Sequence, residues 1–394
     1  MSDDRSISRP RVLVLGRLAI VTMGFGPAGL ALCMPAIAAD LRLDYTQQGL
    51  LLSAGLLAFV IALAAAGVAD RCGFRGLLVL AAAVQAGGWV WISCAGGYGA
   101  LCAAAFAAGC GGALADPLLT PMVCAVYPER RAAVSNILHA GYAVGLVFTA
   151  GLVMLLQSAG VHWRGIVTTF GLLCVPYGLL ALLAPLPRRA HHGAERLPLR
   201  RLLRRPAFWG LVAAMFAAGA VEMAPTNWLP TMIEAGPQRV GRHVTAAGAA
   251  MLVFGTLLGG GRLLAAGIER RIGLRRWMAA MALLCMAGLA VAAIVSGRAA
   301  TAAGLCVTGF GVACFWPSLL ALAGDRFPSG GASMFTVLSV AGSLGAAAAP
   351  VAVGWVADRS AGGLATGLGL LALVPLALLA AAARLTRRAD CTGR

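Results

Sequence analysis

Asp116, His139, Glu222 and Arg262 are ionisable side chains set well inside otherwise apolar stretches of this chain. Asp116 is the only charged residue between Tyr98 and Tyr127, in the run GGALADPLLTP. Glu222 lies in AVEMAPTNWLP, ahead of Pro225 and Pro230. Desolvation works against the charged form of such carboxyls, and a buried unpaired charge costs several kcal/mol. A carboxyl that is protonated in one conformation and ionised in another is what coupling to a proton gradient requires. Histidine as a residue type can change charge near neutrality, which makes His139 a third proton-coupling candidate. Structural roles compete with each. Asp116 as a neutral acid can hydrogen-bond a backbone carbonyl beside Pro117, which leaves the carbonyl of Ala113 without its usual partner. His139 can be a packed, hydrogen-bonded ring. Arg262, one turn from the end of its apolar run, can snorkel to the surface.

Nothing else in the sequence points to covalent chemistry. H-E-x-x-H, a phosphate-binding loop and a Cys/His cluster are all missing, and the 11 cysteines are scattered, mostly inside apolar runs, without a C-x-x-C pair. They read as small apolar residues rather than metal ligands or a disulfide framework. No enzyme activity, metal or cofactor is expected.

The elements that hold these residues are set by composition. Of 394 residues, 60% are hydrophobic and 11% charged, against about 25% charged in a soluble protein. Apolar runs at 12–39, 47–68, 76–96, 99–127, 133–157, 165–186, 207–235, 244–266, 277–296, 299–324, 332–357 and 363–383 are each long enough for a membrane-spanning helix, which needs roughly 20 residues. Open sheet edges cannot be satisfied in lipid, so an all-α membrane protein is predicted. The net charge of +17 comes from arginines in the short segments between runs, which is a topology signal and speaks against nucleic-acid binding. With the N-terminus taken as cytoplasmic, 24 of the 31 basic residues fall on that side, so both termini are expected in the cytoplasm. PAIAAD at 35–40 resembles a cleavage site, but the preceding run is about twice the length of a signal core and contains Pro27, so a retained first helix is expected. Trp163, Trp209, Trp277 and Trp355, near run ends, read as interface anchors.

The longest polar stretch, 187–206, divides the chain into two blocks of six runs related by an offset of 200 residues. GVADRCGFRG matches GIERRIGLRR at Gly67/Gly267, Arg71/Arg271, Gly73/Gly273 and Arg75/Arg275. GCGGALADPLL matches GFGVACFWPSL at Gly109/Gly309, Gly111/Gly311, Ala113/Ala313 and Pro117/Pro317. A shared offset for two unrelated motifs indicates an internal duplication. Trp316 takes the place of Asp116 in the second copy. Parallel six-helix repeats are a transporter architecture, with the substrate near the midplane where helices are Gly/Pro-interrupted. Asn227 and Trp228 between the two prolines, Trp316, and Asn136 and Tyr142, which share a helix face with His139 at i, i+3, i+6, are the candidate substrate contacts.

The loop Gly67-Val-Ala-Asp-Arg-Cys-Gly-Phe-Arg75 resembles the signature G-x-x-x-D-R-x-G-R/K of the major facilitator superfamily, in register at Asp70, Arg71 and Gly73 and one position out of step at Gly67 and Arg75. That resemblance implies twelve transmembrane helices in two pseudo-symmetric six-helix bundles, residues 1–186 and 207–394, joined by a basic cytoplasmic linker at 187–206. It also implies a gating role for Gly67, Asp70, Arg71, Gly73 and Arg75, with Arg262 a further gating candidate. Within the superfamily, GCGGALADP followed by SNILHAGYAVG resembles the fucose-permease branch of sugar/proton symporters. Asp116 replaces that branch's Asn, and its span-4 glutamate falls at Gly112, so coupling would rest on Asp116 and Glu222. The expected protein is a monomeric secondary transporter of the bacterial inner membrane, taking up a small polar, sugar-like solute with protons. A drug/proton antiporter is the alternative.

Overall fold

The computed structural model describes residues 8–61, 73–187, 199–234, 244–328 and 330–385, and among these all regular structure is helical. The helices are α1 (Arg9–Thr22), α2 (Ala31–Leu41), α3 (Tyr45–Leu57), α4 (Phe74–Cys94), α5 (Tyr98–Val126), α6 (Arg131–Ser158), α7 (Trp163–Leu183) and α8 (Leu199–Leu203). They continue as α9 (Pro206–Glu234), α10 (Val244–Ile272), α11 (Leu274–Ile294), α12 (Arg298–Val312), α13 (Phe315–Arg326), α14 (Gly331–Arg359), α15 (Gly363–Leu371) and α16 (Pro375–Leu385). Eleven stretches are long and apolar enough to cross a membrane. The sequence expects twelve. Its second span, 47–68, lies partly outside the described residues, as do Gly67, Asp70 and Arg71.

The duplication is visible residue by residue. α4 and α11 start at Phe74 and Leu274 and end at Cys94 and Ile294, a spacing of 200 at both ends. Gly73 and Gly273, immediately before them, have φ of 74° and 84°, a left-handed conformation that an L side chain adopts only with strain. The copies differ where proline intervenes. The first span is carried by α1 and α2 with a wide-turn helix at Phe25–Leu30 between them, because Pro27 has no N–H to donate. α5 runs unbroken through Pro117 and Pro121, whereas its mate divides into α12 and α13, with Pro317 in the first turn of α13, where a missing N–H costs nothing.

The chain forms two compact units, Met1–Leu41 with Ala54–Gly193, and Arg42–Ser53 with Ala194–Arg394. In the first, Phe25 stacks on Phe170 at 4.9 Å and Trp89 meets Phe170 edge-on at 5.3 Å. In the second, α9 is buried on every side from Ala217 to Pro230, as a helix apolar all round must be. The sequence expects Pro225 and Pro230 to break this helix; instead α9 is continuous. Surrounding structure encloses it, so the prolines remove individual hydrogen bonds and not the element. Two of the four expected tryptophan anchors are also corrected. Trp163 and Trp277 are 3% and 4% exposed, and Trp163 spends its indole N–H on Asp40 at 2.6 Å. Trp209 and Trp355 remain about half exposed.

Candidate functional site

In the first unit α5 presents Asp116 half-buried, and α6 carries His139 on an exposed face. His139 Nε2 is hydrogen-bonded with Thr120 Oγ1, one turn beyond Asp116 on α5, at 2.9 Å. Two residues that the sequence offers as separate proton carriers are therefore linked to neighbouring turns of one helix. Tyr142 lies half-buried three residues further along α6. The side chain of Asn136 lies outside the described residues.

A second polar group in this unit escapes the sequence reading. Gln85 of α4 is buried, and its Oε1 accepts from Thr22 Oγ1 at 3.2 Å and from Tyr177 OH at 2.9 Å. This ties α1, α4 and α7 through one carboxamide. Its Nε2 is the atom nearest the position that a side chain at Gly112 would occupy. The signal was available: Gln85 is the only strongly polar residue within LLVLAAAVQAGGWVW. Arg75, at the start of α4, donates to the carbonyl of Ala184 at 3.0 Å and so fastens the end of α7.

In the second unit Glu222 of α9 and Arg262 of α10 form an ion pair at 3.0 Å. The carboxylate side chain is 6% exposed and the guanidinium side chain 22%. One turn on, Thr226 Oγ1 donates to the Glu222 carbonyl at 2.6 Å. Asn227 follows, 1% exposed, with neither its Oδ1 nor its Nδ2 hydrogen-bonded. The Thr231 hydroxyl, a turn later, is likewise enclosed without a partner. A buried donor or acceptor left unmade costs about 1–3 kcal/mol, so this stretch holds unspent hydrogen-bonding capacity. Trp228 faces elsewhere. Its indole N–H donates to the Pro350 carbonyl at 3.1 Å, and its ring meets Tyr45 edge-on at 6.0 Å. It is fully buried. Trp316 is half-buried against Gly342 of α14.

A further group, also missed by the sequence reading, anchors residues 42–53 on this unit. Asp358, near the end of α14, accepts the N–H of Tyr45 at 3.0 Å, the N–H of Thr46 at 2.8 Å and the Thr46 hydroxyl. Asp44 and Gln47 complete the cap reciprocally, with Gln47 N–H on Asp44 Oδ1 at 2.7 Å and Asp44 N–H on Gln47 Oε1 at 3.1 Å. Every orphan N–H in the first turn of α3 is thus satisfied. The seat is tight: a Cβ at Gly49 would lie 2.6 Å from the Pro350 carbonyl, and one at Gly354 would collide with the Tyr45 backbone.

Comparisons with known proteins agree with this architecture. Two curated MFS-type transporters from two strains of Mycobacterium tuberculosis, both described as uncharacterized, are 27% identical over 238 residues. The match spans 55% of this chain and 52% of each relative. A mutant form of the nucleoside transporter NupG superposes with a TM-score of 0.80 at 13% identity, covering 96% of this chain and 99% of that one. A bacterial homologue of the human lysosomal transporter Spinster, solved inward-facing and occupied, gives 0.75 at 15% identity and 97% coverage of both. At such identities the likeness is one of fold. The profile of the Major Facilitator Superfamily matches residues 18–350, and the chain is a multi-pass membrane protein belonging to that transporter family.

Proposed function

We propose that this transporter moves a small polar, sugar-like solute inward by alternating access, coupled to protons, across a bacterial inner membrane. In this reading it acts as a monomer with twelve spans and both termini in the cytoplasm. The observation that carries the proposal is Asn227: a carboxamide with both polar atoms free and buried on a helix enclosed on every side. Such a group suits a cargo rich in hydrogen-bonding hydroxyls. A lipophilic drug would leave it unpaired, which disfavours the antiporter alternative. The similarly folded NupG is named a nucleoside transporter, and a nucleoside includes a pentose. The sequence likeness to the fucose-permease branch points the same way.

Protons enter through two groups, one in each unit. The Asp116–His139 group accepts or yields a proton as its surroundings change. In the second unit, a proton on Glu222 would dissolve its ion pair with Arg262 and free the guanidinium. The signature-loop residues Gly67, Asp70, Arg71, Gly73 and Arg75 serve the gate. The test is uptake into proteoliposomes under an imposed pH gradient, with a panel of pentoses, hexoses and nucleosides. Glu222→Gln or Asp116→Asn should abolish or strongly reduce the gradient-driven component while leaving exchange. Unaltered gradient dependence in both variants would remove these carboxyls from the coupling.

A further inference from the structure

The junction ahead of α9 carries an unusual concentration of charge in a fixed place. Arg200, Arg201, Arg204 and Arg205 are all exposed, and among the described residues none of them is ion-paired. At 100° per residue, Arg200, Arg201 and Arg204 fall on one arc of the turn, while Leu202 and Leu203 fall on the other. Leu202 is fully buried and pins the turn to the bundle, whereas Leu203 is 38% exposed.

The segment is not a free loop. The Arg205 N–H bonds the Leu202 carbonyl at 2.9 Å, the Phe208 N–H bonds the Arg205 carbonyl at 2.9 Å, and the Trp209 indole N–H bonds the Leu203 carbonyl at 2.8 Å. Phe208 is buried edge-on to Phe327 at 6.0 Å. The backbone of this basic turn is therefore held within two turns of the start of a membrane span. Beside them the exposed Leu203 and the 53% exposed Trp209 present an apolar flank. Basic groups over an apolar flank at the depth of an indole complement the phosphate and upper acyl region of an anionic lipid.

We infer that Arg200, Arg201, Arg204 and Arg205, with Leu203 and Trp209, form a docking surface for anionic phospholipid headgroups. Arginine suits this partner, because its planar fork pairs a phosphate through two parallel hydrogen bonds. The surface is separate from the transport residues: Trp209 precedes Glu222 by thirteen positions along α9, more than three helical turns.

The test uses the full-length protein in detergent micelles. Dioleoylphosphatidylglycerol and dioleoylphosphatidylcholine are titrated separately, and bound lipid is counted by native mass spectrometry. The wild type should retain phosphatidylglycerol in preference, and the preference should fall about fivefold for each guanidinium removed at low salt. R200Q/R201Q/R204Q/R205Q should retain both lipids equally. The pair variant R204Q/R205Q, which keeps Arg200 and Arg201, should lie between and guards against misfolding of the fourfold variant. Equal retention of the two lipids by the wild type would overturn the inference. So would an unchanged preference in the variants, or complete displacement by millimolar inorganic phosphate, which would mark a free-anion site instead.

Discussion

Replacing Asp358 with alanine isolates the cap on α3. The change removes the acceptor for the Tyr45 and Thr46 N–H groups and for the Thr46 hydroxyl, together with a negative charge at a helix N-terminus. Loss of an N-cap costs about 0.5–2 kcal/mol, and the charge–dipole interaction adds about 0.3–1 kcal/mol. Asp358 is exposed, so screening keeps the sum near 1–2 kcal/mol, equivalent to a roughly 5- to 30-fold shift in a local opening equilibrium. Hydrogen exchange reads that shift directly. The Tyr45 and Thr46 amides should exchange about 5- to 30-fold faster in Asp358→Ala. Gln47, whose N–H is held by Asp44, should change much less and serves as the internal reference. Asp358→Asn, which keeps one acceptor oxygen, should fall between. Unchanged exchange at Thr46 would refute the cap, and equal acceleration at Thr46 and Gln47 would show that the turn opens as one unit and not at the two amides that Asp358 holds.

Arg262→Met strands Glu222 in a buried site. Breaking a buried pair costs about 3–5 kcal/mol, and the partial exposure of Arg262 places the loss below that range, about 2–3 kcal/mol. A thiol-reactive dye, reporting on buried residues such as Cys174 and Cys285, should show a clear fall in Tm that Glu222→Gln in the same chain largely reverses; a single variant as stable as wild type would contradict the pairing. Gln85→Leu leaves the fully buried Tyr177 hydroxyl unpaired and should cost about 1–3 kcal/mol, with Tyr177→Phe in the same chain recovering most of it. Burial chiefly, with Asp325 nearby, raises the Glu269 pKa above its ordinary 4.5. A carboxyl raised on folding lends its stability below its unfolded pKa and loses it as pH climbs through the folded value. Tm should therefore decline with rising pH from about 4.5 through that raised range, and Glu269→Gln should flatten the decline.

The spans and the duplication were legible because both depend on local composition: apolar length marks a helix, and Gly73 and Gly273 mark where α4 and α11 begin. Proline was harder to read. Pro27 does disturb its span, yet Pro225 and Pro230 lie in a continuous helix, and what separates the cases is packing from other elements. Asp116, Glu222 and Arg262 stood out as charges in apolar runs, but their pairings did not. Glu222 and Arg262 are 40 positions apart, and Gln85 is 63 from Thr22 and 92 from Tyr177. Asp358 was hidden differently: followed by Arg359, it stands at what reads as an ordinary span end.

The cap on α3 also bears on how the chain is made. Tyr45 and Asp358 are 313 residues apart, so at about 5–20 residues per second of synthesis the first turn of α3 waits roughly 15–60 s for the carboxylate that completes it. During that interval only Asp44 and Gln47, each holding the other's backbone N–H, protect the helix start. Residues 42–53 reach their final seat only after Asp358 has been translated, which makes this short segment a late checkpoint in biogenesis.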